Sequence, residues 1–409
     1  MAFRLLFCPN IAIFAHGISR QSYKNVIMNI PSEFDRIRPF EPEELPEVYD
    51  RLLADAQFRQ VVAYLYPDVP FEALAQKMRA CKTNLEFQKV FPYHFLGRLL
   101  EQASTGCDMD VSAVDVNGRY TFVSNHRDIV LDSALLDRLL IDSGFTTTCE
   151  IAIGDNLLSL PWVKDLVRVN KSFIVERSLH AGEMLRASKR MADYMHFAIR
   201  EKQENIWIAQ REGRAKDSDD RTQPAILKMM AMGGEGTVVE RLSQLHIVPL
   251  CISYEYDPCD YLKAREFQLK RDNPEWKKSA QDDIESMRTG IMGYKGRIHY
   301  HCAPCLDAWL AEIDTAIPRN KLFDLIAAHL DREIHRLYRL YPCNYIAARL
   351  LDGDEGLKAH YTDADEQRFL AYIEQQIGKI HLEGKDPAYL RERMLTMYAN
   401  PYRNWVKAQ

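Results

Sequence analysis

The sequence predicts an α/β fold, a central mixed sheet flanked by helices, with helical additions at both ends. Three observations predict it. Between residues 114 and 303, short runs rich in β-branched and aromatic residues alternate with segments whose apolar residues recur at helical spacing. Two of those runs, IWIAQ (206–210) and HIVPLCISY (246–254), are almost continuously apolar, as strands covered on both faces are. On either side, residues 42–103 and the chain after 306 carry the helical spacing alone.

Each element follows from local signals. Residues 1–27 read as a flexible extension; their one apolar stretch, 3–18, is interrupted by Pro9, Asn10, His16 and Gly17, and Met28 is an alternative start. Residues 28–105 form a helical N-terminal domain, with Leu45, Val48, Tyr49, Leu52 and Leu53, then Leu74, Ala75 and Met78, on its buried faces; Pro67 and Pro70 break it into pieces. The α/β domain spans 106–306. It opens with Asn117-Gly118 between two strand-like runs, a hairpin signal. A helix over 129–143 follows, with Leu131, Ala134, Leu135, Leu139 and Leu140 inward and Gly144 at its C-terminal cap. TTTCEIAIGD (146–155) and KSFIVER (171–177) read as strands. Ser178 opens a helix to about 202, with Leu179, Met184, Leu185, Ala192, Met195 and Ile199 as core positions. Helix resumes at Pro224, and GRIHYHCA (296–303) is a last strand. The charged stretch 263–278 reads as a solvated excursion, and 307–409 as a helical C-terminal region.

Composition bounds the function. The 409 residues carry a net charge of -5, which lacks the basic excess of a nucleic-acid binder. The 9 cysteines are odd in number and unframed, as reduced thiols of a cytoplasmic protein are. No apolar run is long enough to cross a bilayer.

The chemistry concentrates in VSNHRDIVLDS (123–133). A strand runs into Asn125-His126 and a helix starts at once, so the imidazole is held on rigid elements at the end of the sheet. Asp128 and Asp132 lie within the next two turns. Either can orient one ring nitrogen and leave the other free to take a proton. Downstream, Arg177 ends a strand where an anion fits. Glu212-Gly213-Arg214 opens a polar loop in which Gly213 permits close backbone approach, Arg214 is suited to phosphate, and Lys216 and Arg221 add charge. His299, His301, Cys302 and Cys305 use zinc-ligand residue types, but Cys-x-x-Cys without a second half is incomplete, and no metal or cofactor is expected. His180 and His246 read as ordinary structural residues, and His94 as a core or cap residue.

In this order the segments resemble the four blocks of the glycerophospholipid acyltransferase superfamily, which includes glycerol-3-phosphate and lysophosphatidic acid acyltransferases. Ser124-Asn125-His126-Arg127 resembles the first block, Phe173-Ile174-Val175-Glu176-Arg177 the second, Glu212-Gly213-Arg214 the third and Ile247-Val248-Pro249-Leu250 the fourth. The resemblance covers residues 110–305. It departs from the family pattern in places. Five residues, not four, separate His126 from Asp132, and one extra residue precedes Arg177. Arg211 stands where the third block has proline.

The resemblance implies transfer of a fatty acyl group from acyl-CoA or acyl carrier protein to a hydroxyl of glycerol-3-phosphate or lysophosphatidic acid. His126 is then the general base, and Asp132 or Asp128 its support. Asn125, Arg127, Arg177, Glu212, Gly213, Arg214 and Lys216 are the substrate-binding set. Two other readings stand beside it: O-acylation of another lipid acceptor such as an N-acyl amino acid lipid, and a degenerate lipid-binding member, motivated by the displaced Asp132. The enzyme is expected in the cytoplasm, peripheral on the inner face of the cell membrane. The aromatic and basic tail containing Tyr389, Arg391, Arg393, Tyr402, Arg403, Trp405 and Lys407 suits such an interface, or simply packs on the domain.

Overall fold

The structure, a computed structural model, describes residues 29–177, 179–314 and 316–409; the expected extension 1–27, the alternative start at Met28 and Ser178 lie outside them. Five helices come first: α1 (Leu45–Ala54), α2 (Ala56–Leu65), α3 (Phe71–Ala80), α4 (Asn84–Val90) and α5 (Pro92–Ala103). The sheet strands are β1 (Gly106–Asp110), β2 (Thr121–Ser124), β3 (Cys149–Gly154), β4 (Ser172–Val175), β5 (Asn205–Ala209), β6 (Ile247–Tyr254) and β7 (Arg297–Cys302). Between them run α6 (Leu131–Asp142), α7 (Pro161–Val169), α8 (Ala181–Arg200), α9 (Pro224–Met230), α10 (Val238–Ser243), α11 (Asp260–Asp272) and α12 (Ala280–Met292). The chain closes with α13 (Asp307–Ala311), α14 (Arg319–Arg336), α15 (Pro342–Asp352), α16 (Asp363–Gly378) and α17 (Pro387–Ala408).

The seven strands form one mixed sheet in the order β1-β7-β6-β2-β5-β3-β4. All neighbours are parallel except β6 and β7. Period-2 alternation sends Val123, Ile206, Ile208, Ile247 and Cys251 to one face, where α8, α9 and α14 cover them. Phe122, Trp207, Val248, Leu250 and Ile252 go to the other, under α5 and α6. Burial on both faces explains why these strands read as unbroken apolar runs. A third cluster joins α15, α16 and α17 to α11. A fourth joins α1 to α4 with Trp162, Leu166 and Val169 of α7.

Several expectations need correction. The run before Asn117-Gly118 does not pair with β2. That run, residues 114–116, is not a strand; the strand before it, β1, pairs with β7, while β2 lies between β5 and β6. The Asn-Gly step is a local turn in which Asp115 Oδ1 accepts from Asn117 N at 2.9 Å. Leu185 is exposed, as is His94 on α5, so neither is a core residue. Gly144 does cap α6, with φ 90° and Phe145 N donating to Leu140 O at 3.0 Å.

The stretch 263–278 is solvated only in its second half, where residues 270–275 and 277 are exposed. Its first half is α11, in which Lys263, Glu266 and Gln268 are buried against the C-terminal helices. Charge fits inside because it is paired: Lys263 binds the Asp257 carboxylate, and Glu266 binds both Lys216 and Lys270. The C-terminal tail likewise packs on the domain. Leu390, Met394, Leu395, Met397 and Tyr398 of α17 are buried, while Arg391 pairs with Glu374 and Arg403 with Asp352. Among the described residues no helix is long and apolar enough to cross a membrane.

The Lys263–Asp257 pair carries a pH signature. Burial alone would raise the Asp257 pKa, but the adjacent ammonium outweighs it and holds the value below the ordinary carboxylate range. A depressed folded pKa stabilises the fold above the unfolded value, about 4, and that contribution is lost as pH falls through the folded value. Lys263→Met should therefore cost about 3–5 kcal/mol at neutral pH. The difference from wild type should narrow below about pH 4, as read from urea melts across pH.

Candidate active site

His126, Arg177, Glu212-Gly213-Arg214 and Ser253 all lie at the carboxyl ends of parallel strands β2, β4, β5 and β6. Segments distant in sequence therefore meet at one edge of the sheet, where ligands of open α/β sheets bind. At that edge β2 and β6 cease to pair after Ser124 and Leu250. Asn125 then takes the place of the ladder: its Oδ1 accepts from Ile252 N at 2.8 Å and its Nδ2 donates to Ile252 O at 2.9 Å. Asn125, expected to bind substrate, is wholly buried and spends its amide on this clamp.

The next residue is His126, mostly covered but with its ring edge reaching the surface. Its Nδ1 lies 2.7 Å from Asp132 Oδ2. The same carboxylate oxygen accepts the backbone N–H of Arg127 at 2.6 Å and of Asp128 at 3.0 Å. A fully buried carboxylate receiving three donors holds Nδ1 protonated and leaves Nε2 with its lone pair. Trp207 packs edge-on against the ring, centroids 5.7 Å apart, and is itself fixed by Nε1 donating to Ser124 Oγ at 3.0 Å. Tyr300 steadies Asp132 by donating to its backbone carbonyl at 2.9 Å.

The extra residue between His126 and Asp132 is absorbed before α6 begins at Leu131. Asp132 thus stays in the first helical turn, where an insertion inside the helix would have rotated it by about 100°. Asp128, the other candidate partner for the ring, is engaged elsewhere. Its Oδ1 accepts from Val130 N at 2.9 Å and Leu131 N at 2.8 Å, which caps α6. Burial and the neighbouring Asp132 push its pKa up.

The polar loop after β5 is not a solvent loop. Arg214, Ser218, Asp220 and Thr222 are buried in it. Asp220 Oδ2 accepts from Arg127 Nη2 at 2.8 Å and from Tyr338 OH at 2.5 Å. Asp331 of α14 accepts from both Thr222 N and Thr222 Oγ1, at 2.7 and 2.6 Å. Asn400 and Asn404 of α17 bind Asp217 O and Asp219 Oδ1 at 2.8 and 3.1 Å. The helical C-terminal region therefore shapes the site. Arg127 is buried; burial would lower its pKa, but Asp220, Tyr338 and Asp257 more than offset that.

The remaining predicted residues separate into two groups. Arg177 and Glu212 form an exposed pair at 3.1 Å on the rim. Arg214 is buried; Cys259, Asp257 and Asp128 outweigh the effect of burial and raise its pKa. Its Nη1 is buried without a protein partner. Arg214 and Lys216 line a pocket with Lys263, Arg265, Trp276 and Lys278 and with the carboxylates of Glu266, Asp282 and Glu285. The Lys216 ammonium pairs with Glu266 at 2.7 Å, yet burial, with Arg214 and Lys278 nearby, lowers its pKa to about 8. Gly213 holds φ 65°, which favours glycine whatever the space. Sequence reasoning missed Trp207, Asp220, Tyr338 and Asp331. Only Asp220 carried a signal, in the acidic run of a loop already singled out.

Residues 107–253 match the family model described as Acyltransferase. No curated protein matches the chain. The solved structure of the 1-acyl-sn-glycerophosphate (LPA) acyltransferase PlsC from Thermotoga maritima is similar at 12% identity and a TM-score of 0.36, over 70% of this chain and 93% of that one.

The tightest contact around the site involves a glycine. A Cβ on Gly290 of α12 would stand 1.9 Å from Asp128 Oδ2. Gly290→Ala should displace the α6 cap and cost about 1–3 kcal/mol, measured by urea unfolding. With the family match running from β1 into β6 and its motif blocks gathered at one edge of the sheet, residues 107–253 are an acyltransferase domain, that of an acyl-transferring enzyme.

Proposed function

We propose that the enzyme moves a fatty acyl group from acyl-CoA or acyl carrier protein to a hydroxyl of glycerol-3-phosphate or lysophosphatidic acid, with His126 as general base. The observation that carries this reading is the Asp132 oxygen shared by His126 Nδ1 and two backbone N–H groups. An imidazole fixed in that tautomer presents Nε2 to an acceptor hydroxyl. As the hydroxyl oxygen attacks the thioester carbonyl, its proton passes to Nε2. The imidazolium so formed is stabilised by Asp132 and returns the proton to the departing thiolate. The offset of Asp132 that motivated a non-catalytic reading gives no reason to keep it, since the carboxylate reaches the ring.

Arg214 supports a phosphorylated acceptor. A guanidinium with a buried, unpartnered nitrogen beside a pocket lined by charges of both signs is suited to a phosphate oxygen. Lys216 adds positive charge at the same place. One observation favours the second reading, an acceptor without phosphate such as an N-acyl amino acid lipid. Arg177, expected to reach the acceptor, is paired with Glu212 on the rim, so fewer cations converge than a doubly charged phosphate attracts. Donor and acceptor are both amphiphiles, so the proposal includes peripheral association with the inner face of the cell membrane.

The test is thiol release from palmitoyl-CoA, repeated with acyl carrier protein as donor, over a panel of acceptors. Acceptor-dependent release with glycerol-3-phosphate or lysophosphatidic acid, lowered by about 10²–10⁴-fold in His126→Ala, is the expected result. Release only with N-acyl amino acid lipids would move the assignment to the second reading, and release unchanged in His126→Ala would remove the base. Asp132→Asn should lower kcat by at least about 10²-fold with KM little changed, because it loosens the tautomer and withdraws charge from the imidazolium. Arg214→Met should raise KM for phosphorylated acceptors by about tenfold or more and leave KM for unphosphorylated ones unchanged.

A further inference from the structure

At the opposite end of the sheet from His126, three metal-ligand side chains converge among the described residues. They are His246, Cys305 and Asp307, and their donor atoms all lie within 4.8 Å of one another. The backbone brings them together. His246 precedes β6, while Cys305 and Asp307 follow the antiparallel β7. Pairing continues past the strand ends, with Ala303 N donating to Pro249 O at 2.9 Å and Leu306 N to Ile247 O at 2.8 Å. The three residues therefore sit beside the first residue of β6, whereas His126 follows the last residue of its parallel neighbour β2.

His246 is held there at some cost. Its φ is 47°, in the left-handed region that a non-glycine residue occupies only when its surroundings over-determine it. The backbone on both sides fixes it: His246 N donates to Ser243 O at 3.0 Å, and Thr121 N donates to His246 O at 3.2 Å. In that conformation Nδ1 lies 2.5 Å from Asp307 Oδ2. The same folding splits the His299–Cys305 run that the sequence presents as one cluster. His301 turns to Asp110, with Nε2 3.6 Å from Oδ2, His299 pairs with Asp108, and Cys302 is buried in the core. Cys305 alone leaves that group and meets His246 and Asp307.

We infer that His246, Cys305 and Asp307 bind a divalent transition metal of zinc's class, with water completing the coordination. One sulfur, one imidazole nitrogen and one carboxylate oxygen form a donor set for a borderline-soft tetrahedral ion. Calcium and magnesium prefer oxygen alone. On binding, the Cys305 S–H bond breaks, its proton leaves to solvent and a sulfur–metal bond forms; His246 binds through a neutral ring nitrogen. The ion would tie the start of β6 to the segment entering α13. It would act on stability, remote from acyl transfer.

The test uses the full chain, stripped of metal and titrated with Co²⁺ alone. Binding of about one equivalent is expected, with tetrahedral d–d bands and a thiolate-to-cobalt charge-transfer band. The band should vanish in Cys305→Ser, and His246→Ala should weaken binding by at least about tenfold. Zn²⁺ should also protect Cys305 of the wild-type chain from alkylation by iodoacetamide, read by peptide mass, which serves if the variants fail to fold. Absence of the charge-transfer band in wild type, its persistence in Cys305→Ser, or alkylation of Cys305 unaffected by Zn²⁺ would each overturn the inference.

Discussion

A single carboxylate oxygen organises the edge of the sheet where the candidate site lies. Asp132 Oδ2 receives the imidazole of His126 and the backbone N–H groups of Arg127 and Asp128, so it fixes a side chain and the loop that presents it together. A buried carboxylate without donors would be costly, and three donors from one short loop offset that cost at Oδ2, while Oδ1 has no partner. The loop can fold in few other ways once those bonds are made. Its remaining members are then drawn into place, with Asp128 capping α6 and Arg127 directed beneath the polar loop toward Asp220. Tyr300 on β7 closes the arrangement from behind by binding the Asp132 carbonyl.

The helical C-terminal region is part of this edge. Tyr338, just past α14, binds Asp220, and Asp331, Asn400 and Asn404 hold the loop that carries Arg214 and Lys216. Buried charge in this layer is balanced locally: Arg127 with Asp220, Lys263 with Asp257, Lys216 with Glu266. Such pairs add little net stability over an apolar core, but breaking one is expensive. Arg214 lies in the same layer with its Nη1 unpartnered, as are Asp220 Oδ1 and Asp132 Oδ1.

Much of this was legible in the sequence, and the failures share a cause. The order of strands and helices and the inward faces of α1, α3 and α6 follow from periodicity and local residue types, while the segments that meet at one edge of the sheet were marked by the family resemblance. The expected hairpin at Asn117-Gly118 failed because the partners of β2 come from strands more than 80 positions away, beyond any local signal. The solvated reading of 263–278 failed over its first half, because charge density reports exposure only when opposite charges are not buried together, and there they are. The choice between Asp128 and Asp132 stayed open because both lie within reach of His126 in sequence.

What the sequence determined by itself is the layered α/β architecture, since apolar periodicity dictates which faces must be covered, and the candidate residues that the family resemblance marks. What only the tertiary structure decided is partnership. Asp132 rather than Asp128 meets the imidazole because the inserted residue falls in the loop and not in the helix. Arg177 faces Glu212 at the rim while Arg214 lies buried, and Cys305 leaves its neighbours for His246. These outcomes depend on strand order and on helices from the far end of the chain, and no local stretch of sequence encodes the distance between residues it does not contain.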